Sequence, residues 1–115
     1  MPQYLLYFNQ SWVGDHPAEW YDSRGPLARA VIEDMKAAGV YVFAGGLEEL
    51  AEGARAYTAD PTSGSMLITD GPYVETKEHL GGFALVDVPD DETAKTWAAR
   101  VAEACGWPHE VRRFK

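Results

Sequence analysis

The sequence is poor in cysteine and has no long apolar run. Its single thiol, Cys105, excludes an intrachain disulfide and favours a reducing compartment. No apolar stretch approaches the roughly 20 residues that a membrane-spanning helix needs. The first residues also lack the charged and then apolar regions of a secretory signal. We therefore expect a cytoplasmic protein.

Positive charge is scarce as well. The 115 residues contain 10 Lys and Arg against 18 Asp and Glu, so the net charge at pH 7 is −8. Binding to nucleic acid or to an anionic membrane requires a concentrated basic surface. The one basic cluster, Arg112, Arg113 and Lys115, is too small to supply it. We therefore expect neither nucleic acid nor membrane as a partner.

The three histidines, His16, His79 and His109, are far apart and none has a Cys or His partner at ligand spacing. No glycine-rich phosphate loop follows a strand. The spacing of Asp15, His16, Glu19 and Asp22 superficially suggests metal ligands on one helix face, but a polar loop is the favoured interpretation because zinc sites are seldom so carboxylate-rich. We expect no metal and no cofactor.

Hydrophobic patterning predicts two helices among several short strands. The predicted helices cover residues 26–38 and 91–104, and the segment 9–23 before the first one is predicted as a loop with at most one helical turn. Asp90 is the expected N-cap of the second helix, and Gly106 is expected to end it. The predicted strands are 3–8, 40–44, 54–59, 65–69, 83–88 and 109–114.

These elements predict one α+β domain over residues 1–115. We interpret their order as β-α-β-β-β-α-β, a ferredoxin-like split βαβ unit with an inserted hairpin strand and both helices on one face of an antiparallel sheet. Several strands are apolar on both faces, whereas two helices cover only one face. A second copy related by two-fold symmetry would cover the other, so we expect a homodimer.

The connector between the strands 65–69 and 83–88 is long for a hairpin and is rich in groups able to do chemistry. Asp70-Gly71-Pro72 predicts a sharp reversal, and Gly81-Gly82 permits close approach by a ligand or by another backbone. Asp70 is either a general base or a turn cap through an Asx hydrogen bond.

The charged part of this connector, Glu75-Thr76-Lys77-Glu78-His79, has two interpretations. A helical conformation places Glu75 and Glu78 on one face, where two close carboxylates would raise one pKa. An extended conformation aligns Glu75, Lys77 and His79 as an anion clamp with a base. Lys77 either neutralises a carboxylate ligand or pairs with a neighbouring glutamate at the surface.

The stretch from Thr69 to Phe83, TDGPYVETKEHLGGF, resembles the signature of the YCII-related proteins of the DGPF subgroup, with Tyr73 in place of the usual Phe. The resemblance extends from Tyr4-Leu5-Leu6 to Glu110-Val111-Arg112. It implies a ferredoxin-like domain that pairs into a dimeric α+β barrel. Some relatives carry a His–Asp pair with the His on the first helix, and one branch acts on chlorinated muconate-type acids. The predicted helix 26–38 contains no His, so that pair is not carried over.

The resemblance also implies companionship with extracytoplasmic-function sigma factors in some bacteria. Two hypotheses follow for the loop: cofactor-independent carboxylate acid/base chemistry on a small polar or anionic metabolite, or a ligand-sensing or protein-interaction module without turnover. An enclosed pocket holding Asp70 favours the first. A solvated loop beside a large apolar patch favours the second. The catalytic candidates are Asp70, Glu75 and Glu78, and the ligand-binding candidates are Lys77, Tyr73, Gly81 and Gly82.

Overall fold

The computed structural model describes residues 1–51 and 53–115 and contains two helices and six strands. A single 3-10 turn, Gln10–Trp12, follows the first strand. The elements are β1 Gln3–Asn9, α1 Ala18–Ala37, β2 Tyr41–Gly46, β3 Tyr57–Asp60, β4 Leu67–Asp70, β5 Leu80–Asp87, α2 Asp91–Cys105 and β6 Glu110–Arg113. Four strands lie between the helices. This agrees with the four predicted strand segments between them, whereas the predicted order β-α-β-β-β-α-β contains one strand too few.

The main sheet has the strand order β2-β5-β1-β6, and all its neighbouring strands are antiparallel. At its centre β1 pairs with β5, so that Tyr4 lies opposite Val86 and Leu6 opposite Ala84. The two helices and this antiparallel sheet are consistent with the predicted ferredoxin-like α+β fold. In the described part of the chain, neither helix is long and apolar enough to cross a bilayer.

The hydrophobic core lies between one face of the main sheet and the two helices. Strand residues alternate between the faces of a sheet, and the even-numbered residues of β1 and β5 point toward the helices. The most deeply buried large side chains are Tyr4, Leu6, Met35, Val86 and Val88. The opposite face of the central strands carries residues that are also apolar but only half-buried, including Leu5 and Leu85.

The predicted start of α1 is wrong, because the helix begins at Ala18 and carries Pro26 in its interior. An interior proline removes one backbone hydrogen bond, which ordinarily ends a helix. Here the first turns have tertiary contacts that offset this cost. The Trp20 ring packs so closely against Gly106 that a Cβ there would lie 2.6 Å from it, and His16 stacks on Trp20 with ring centroids 3.6 Å apart.

Strands β3 and β4 form a separate two-stranded sheet, so the predicted hairpin does not add a strand to the main sheet. We call this hairpin, residues Tyr57–Asp70, the arm. Its base is closed by a 2.8 Å hydrogen bond from the Thr58 hydroxyl to the carbonyl of Gly71 and by a 2.7 Å bond from the Gly71 N–H to the carbonyl of Ala56. None of the buried core residues belongs to the arm.

Helix α2 has the caps that its sequence predicts. The carboxylate of Asp90 accepts hydrogen bonds from the backbone N–H of Thr93 at 2.8 Å and from its hydroxyl at 2.7 Å. Gly106 adopts the left-handed conformation, with φ of 96°, and its N–H donates to the carbonyl of Ala102. These bonds satisfy backbone groups that a helix end otherwise leaves unpaired.

We predict that the Asp90 cap makes stability depend on acid pH. The hydrogen bonds from the Thr93 hydroxyl and backbone hold the pKa of Asp90 below its ordinary value. A carboxyl whose pKa is lowered in the folded state stabilises it above the unfolded-state pKa of about 3.9 and loses that contribution as the pH falls. Asp90→Ala should lower the melting temperature at pH 7 by a few degrees and flatten its acid dependence.

Asp90→Asn is the matched variant, since asparagine also caps helices but carries no charge. Its melting temperature at pH 7 should stay close to that of the wild type, and it should share the flattened acid dependence of Asp90→Ala. Thermal unfolding followed by circular dichroism between pH 3 and 7 measures both. An Asp90→Ala melting temperature equal to that of the wild type would contradict the assignment.

Candidate functional site

The central loop, residues 71–79 between β4 and β5, has no regular secondary structure. A turn at its middle is closed by a 3.0 Å hydrogen bond from the N–H of Thr76 to the carbonyl of Tyr73. The helical interpretation that places Glu75 and Glu78 on one face is therefore wrong. The extended interpretation fails too, because Glu75 lies in the turn and the chain bends at Glu78.

Asp70 is the last residue of β4 and lies opposite Tyr57 of β3. Its side chain is exposed and takes part in none of the hydrogen bonds of the described residues. The reversal after it rests on Gly71, whose φ of 87° lies in the left-handed region that favours glycine. The turn is thus held by hydrogen bonds of the Gly71 backbone to the Ala56 carbonyl and the Thr58 hydroxyl, and Asp70 lies in solvent and not in an enclosed pocket.

A cleft of about 560 Å³ separates the central loop from the segment that connects β2 to β3; we call it the loop cleft. Glu78 is the one catalytic candidate that lines it, and the Nδ2 of Asn9 donates a 3.1 Å hydrogen bond to the Glu78 carboxylate. Asp70, Tyr73, Glu75 and Lys77 are exposed and are not among its lining residues. Thr76 also lines it, as do three side chains that no sequence pattern singled out: Glu48, Arg55 and Tyr57.

Glu48 and Arg55 form an ion pair at the loop cleft. Two guanidinium nitrogens of Arg55, Nε and Nη2, donate to the Glu48 carboxylate at 3.0 and 2.5 Å. These hydrogen bonds hold the pKa of Glu48 below its ordinary value, so this carboxylate is ionised at neutral pH. A general acid needs a raised pKa, which excludes Glu48 from that role. His79 lines the same cleft, and its backbone carbonyl accepts from the N–H of Gln10.

The two ligand-binding candidates Gly81 and Gly82 are buried, and their missing side chains make room for protein atoms. A Cβ at Gly81 would lie 2.4 Å from the Phe8 ring. A Cβ at Gly82 would lie 3.0 Å from both the Phe8 ring and the carbonyl oxygen of Gly45. The close approach predicted at this pair is therefore made by Phe8 and by the backbone of β2.

Within residues 1–51 and 53–115, no three His, Cys, Asp or Glu side chains lie close enough together to bind a metal ion. Residues 15–22 have a spacing that superficially suggests metal ligands. Within them, the His16 ring stacks on Trp20, and its Nε2 lies 3.1 Å from the carbonyl oxygen of Val13. This stretch contains the start of α1, where a polar loop was expected.

Comparison with protein-family models gives a match over residues 13–108, to the YCII-related domain. The chain belongs to this family. The match covers the central loop, both helices and the arm, and it confirms the family resemblance carried by residues 69–83. No curated protein matches the chain.

The arm of this YCII-related domain presents an apolar face to solvent. Paired residues of antiparallel strands share a face, so Tyr57, Ala59, Ile68 and Asp70 lie on one side of the arm. Tyr57 and Ile68 are each 66 % exposed. We call Tyr57, Ala59 and Ile68 the arm face. Val74 of the adjoining central loop, 90 % exposed, extends the apolar character of this region.

We predict that Gly82 contributes to stability through the packing of Phe8. Gly82→Ala should lower the free energy of unfolding by about 1–3 kcal/mol, the usual cost of overpacking a tight site. Gly46→Ala is the control, because nothing lies within 4 Å of a Cβ at Gly46, its cross-strand neighbour. Urea unfolding measures both. If Gly82→Ala were as stable as the wild type, the absence of a side chain at Gly82 would not be needed for the packing of Phe8.

Proposed function

We propose that this YCII-related domain is a dimeric protein-interaction module whose binding surfaces are the arm face and the open face of the main sheet. The observation that carries the proposal is the arm itself, a two-stranded sheet with an exposed apolar face. Exposed apolar patches of this kind typically mark interaction sites. The solvated position of Asp70 argues against catalysis through that residue.

The arm needs a partner for physical reasons. An isolated two-stranded hairpin is marginally stable in water unless its face packs against something else. Burying a large apolar side chain such as Ile68 contributes about 1.5–3 kcal/mol. The molecule also measures 47 × 38 × 19 Å, a flat and extended shape for 115 residues. A partner that covered the arm face would remove apolar surface from water and stabilise the hairpin.

A second copy of the chain is the partner that we propose first. The face of the main sheet opposite the helices carries Leu5, Tyr7, Phe83 and Leu85, and beside them Phe43 is 54 % exposed. A two-fold axis would bring the same apolar surface of each copy together. This supports the dimeric α+β barrel that the family resemblance implies, with an interface of at least about 1,200 Å².

A second candidate function is cofactor-independent acid/base chemistry in the loop cleft. Glu78 supports it, because Asn9 orients its carboxylate at the edge of a cleft large enough for a small polar or anionic metabolite. Under this proposal Asp70, Glu75, Lys77 and Tyr73 would join Glu78 only after a rearrangement of the central loop. Gly81 and Gly82 would act through backbone groups alone.

Membership of the DGPF subgroup and a link to sigma factors are further parts of the proposal. The sequence Asp70-Gly71-Pro72 supports the subgroup, and an interaction module suits the role of a sigma-factor companion. Proteins that bind DNA have basic surfaces. A net charge of −8 would favour association with such a surface. A cytoplasmic location, as expected from the single cysteine, completes the proposal.

We predict that one charge on the arm face disrupts the dimer. Ile68→Glu removes an apolar side chain from the proposed interface and adds a second carboxylate to the side of the arm that already carries Asp70. The variant should therefore elute as a monomer at concentrations at which the wild type is a dimer. Size exclusion coupled to light scattering measures the mass of each. Its fold should persist, because Ile68 lies outside the core.

Thr69→Glu is the matched control. Thr69 is the next residue of β4, is also exposed and points to the other face of the arm, where it lies opposite Thr58. This variant carries the same added charge and should remain a dimer. A wild-type protein that stays monomeric at high micromolar concentration would overturn the proposed function, as would equal effects of the two substitutions.

A further inference from the structure

A second cleft lies on the helix-covered side of the main sheet, far in sequence from the central loop. It has a volume of about 540 Å³ and opens between α1, the ends of β1 and β2, and the C-terminal part of α2; we call it the helix cleft. Clefts of roughly 300–1,000 Å³ are the usual size of small-molecule sites. Most of its lining residues belong to the helices or to the helix-covered face of the sheet, and Phe83 of the open sheet face also lines it.

The helix cleft exists because small residues face one another across it. Gly25 and Ala28 of α1 lie opposite the β2 residues Ala44, Gly45 and Gly46, and none of these side chains is long enough to fill the space. Larger apolar side chains close the remaining walls: Phe8, Ile32 and Val101. The lining is therefore mostly apolar and would accept a hydrocarbon or aromatic body.

The charged groups at the helix cleft are on α1 and are mainly positive. Arg29 lines it, and the guanidinium Nη1 lies 3.2 Å from the position that a Cβ of Gly25 would occupy, so the side chain folds back along the helix. In residues 1–51 and 53–115, Arg29 forms no salt bridge. Lys36 also lines the cleft and pairs with Glu33 at 3.3 Å. Glu33 lines the cleft as well, and because it pairs with Lys36, the charge of Arg29 is left without a salt-bridge partner among the described residues.

A third polar group of the helix cleft is the imidazole of His109. Its Nδ1 lies 3.1 Å from the carbonyl oxygen of Trp107. Because a carbonyl only accepts, Nδ1 carries the proton and Nε2 is left as an acceptor in the neutral ring. Burial lowers the pKa of His109 and favours this neutral form. The ring also packs against Phe8, with centroids 5.2 Å apart, which fixes its position.

We propose that the helix cleft is a binding site for a small carboxylic acid with an apolar, ring-sized body. The body would lie among Phe8, Ile32 and Val101, and its carboxylate would pair with the guanidinium of Arg29. An arginine offers a carboxylate two parallel hydrogen bonds, which gives geometric specificity as well as charge. A hydroxyl or N–H on the ligand would donate to Nε2 of His109.

The helix cleft carries mainly positive side chains, whereas the protein as a whole is negatively charged. At a net charge of −8, long-range attraction favours cations over anions. A preference for an anion must therefore come from the local groups of the helix cleft. Two probes with the same naphthalene body and opposite charges, 1-naphthoate and 1-naphthylmethylammonium, separate the local from the global effect.

Isothermal titration calorimetry of the intact protein with each probe tests the proposal. We expect saturable binding of 1-naphthoate, with binding of the ammonium probe at least about tenfold weaker. Arg29→Ala should weaken naphthoate binding about tenfold or more, and it should fold normally because alanine is the best helix former at an exposed helix position. Ala28→Leu, which fills the helix cleft, should abolish binding of both probes.

Lys95→Ala is the matched control, since it removes the same charge from the surface of α2, where Lys95 pairs with Glu92 away from the helix cleft. Its affinity for 1-naphthoate should equal that of the wild type. The proposal is overturned if naphthoate does not bind, or if the cationic probe binds as tightly. It is also overturned if Lys95→Ala weakens binding as much as Arg29→Ala, or if Ala28→Leu binds like the wild type.

Discussion

The antiparallel pairing of β1 with β5 is the interaction on which the rest of the molecule depends. These two strands place Tyr4, Leu6, Ala84 and Val86 on one face, where α1 and α2 bury them. Alternation along the same strands sends a second set of residues to the opposite face, and in this sequence that set is also largely apolar. In this molecule both helices cover the same face of the sheet. The open apolar face is therefore the structural basis of the proposed dimer.

Like the open face of the main sheet, the arm has exposed apolar side chains. It leaves the main body at Ala56 and returns at Gly71, and between them its own cross-strand hydrogen bonds hold it together. Hairpins of this size gain their stability from the face on which they pack. Under the proposed function, a second copy of the chain would cover both the arm face and the open sheet face. The helix cleft, where the proposed ligand would bind, lies mainly on the other side of the sheet.

Local signals in the sequence were sufficient for those features that depend on neighbouring residues. The apolar spacing of α2, its Asp90 cap and its Gly106 end need only contacts within a few turns, and all three are confirmed. The start of α1 could not be predicted this way, because it depends on the packing of Trp20 against Gly106, 86 residues later in the chain. Pro26 predicted a helix start at residue 26, because proline suits the first turn of a helix, but α1 begins at Ala18.

The candidate site also combines features that local sequence predicts with features that depend on tertiary packing. The unusual composition of the central loop identified a segment of the family signature, yet it did not show which side chains face a cleft. Glu78 does so because Asn9, at the end of β1, holds its carboxylate. Arg29 and His109 are 80 residues apart in the sequence and line one cleft only through the packing of α1 and α2 on the sheet. No spacing along the sequence relates them.

Amide hydrogen exchange in β3 and β4, measured over a dilution series of the wild-type protein, tests the central claim most directly. An arm that is stabilised by a second copy should be protected at high protein concentration and should exchange rapidly as dilution separates the copies, while the amides of β1 and β5 stay protected throughout. Arm protection that does not change with concentration would contradict the account, because the hairpin would then be stable without a partner.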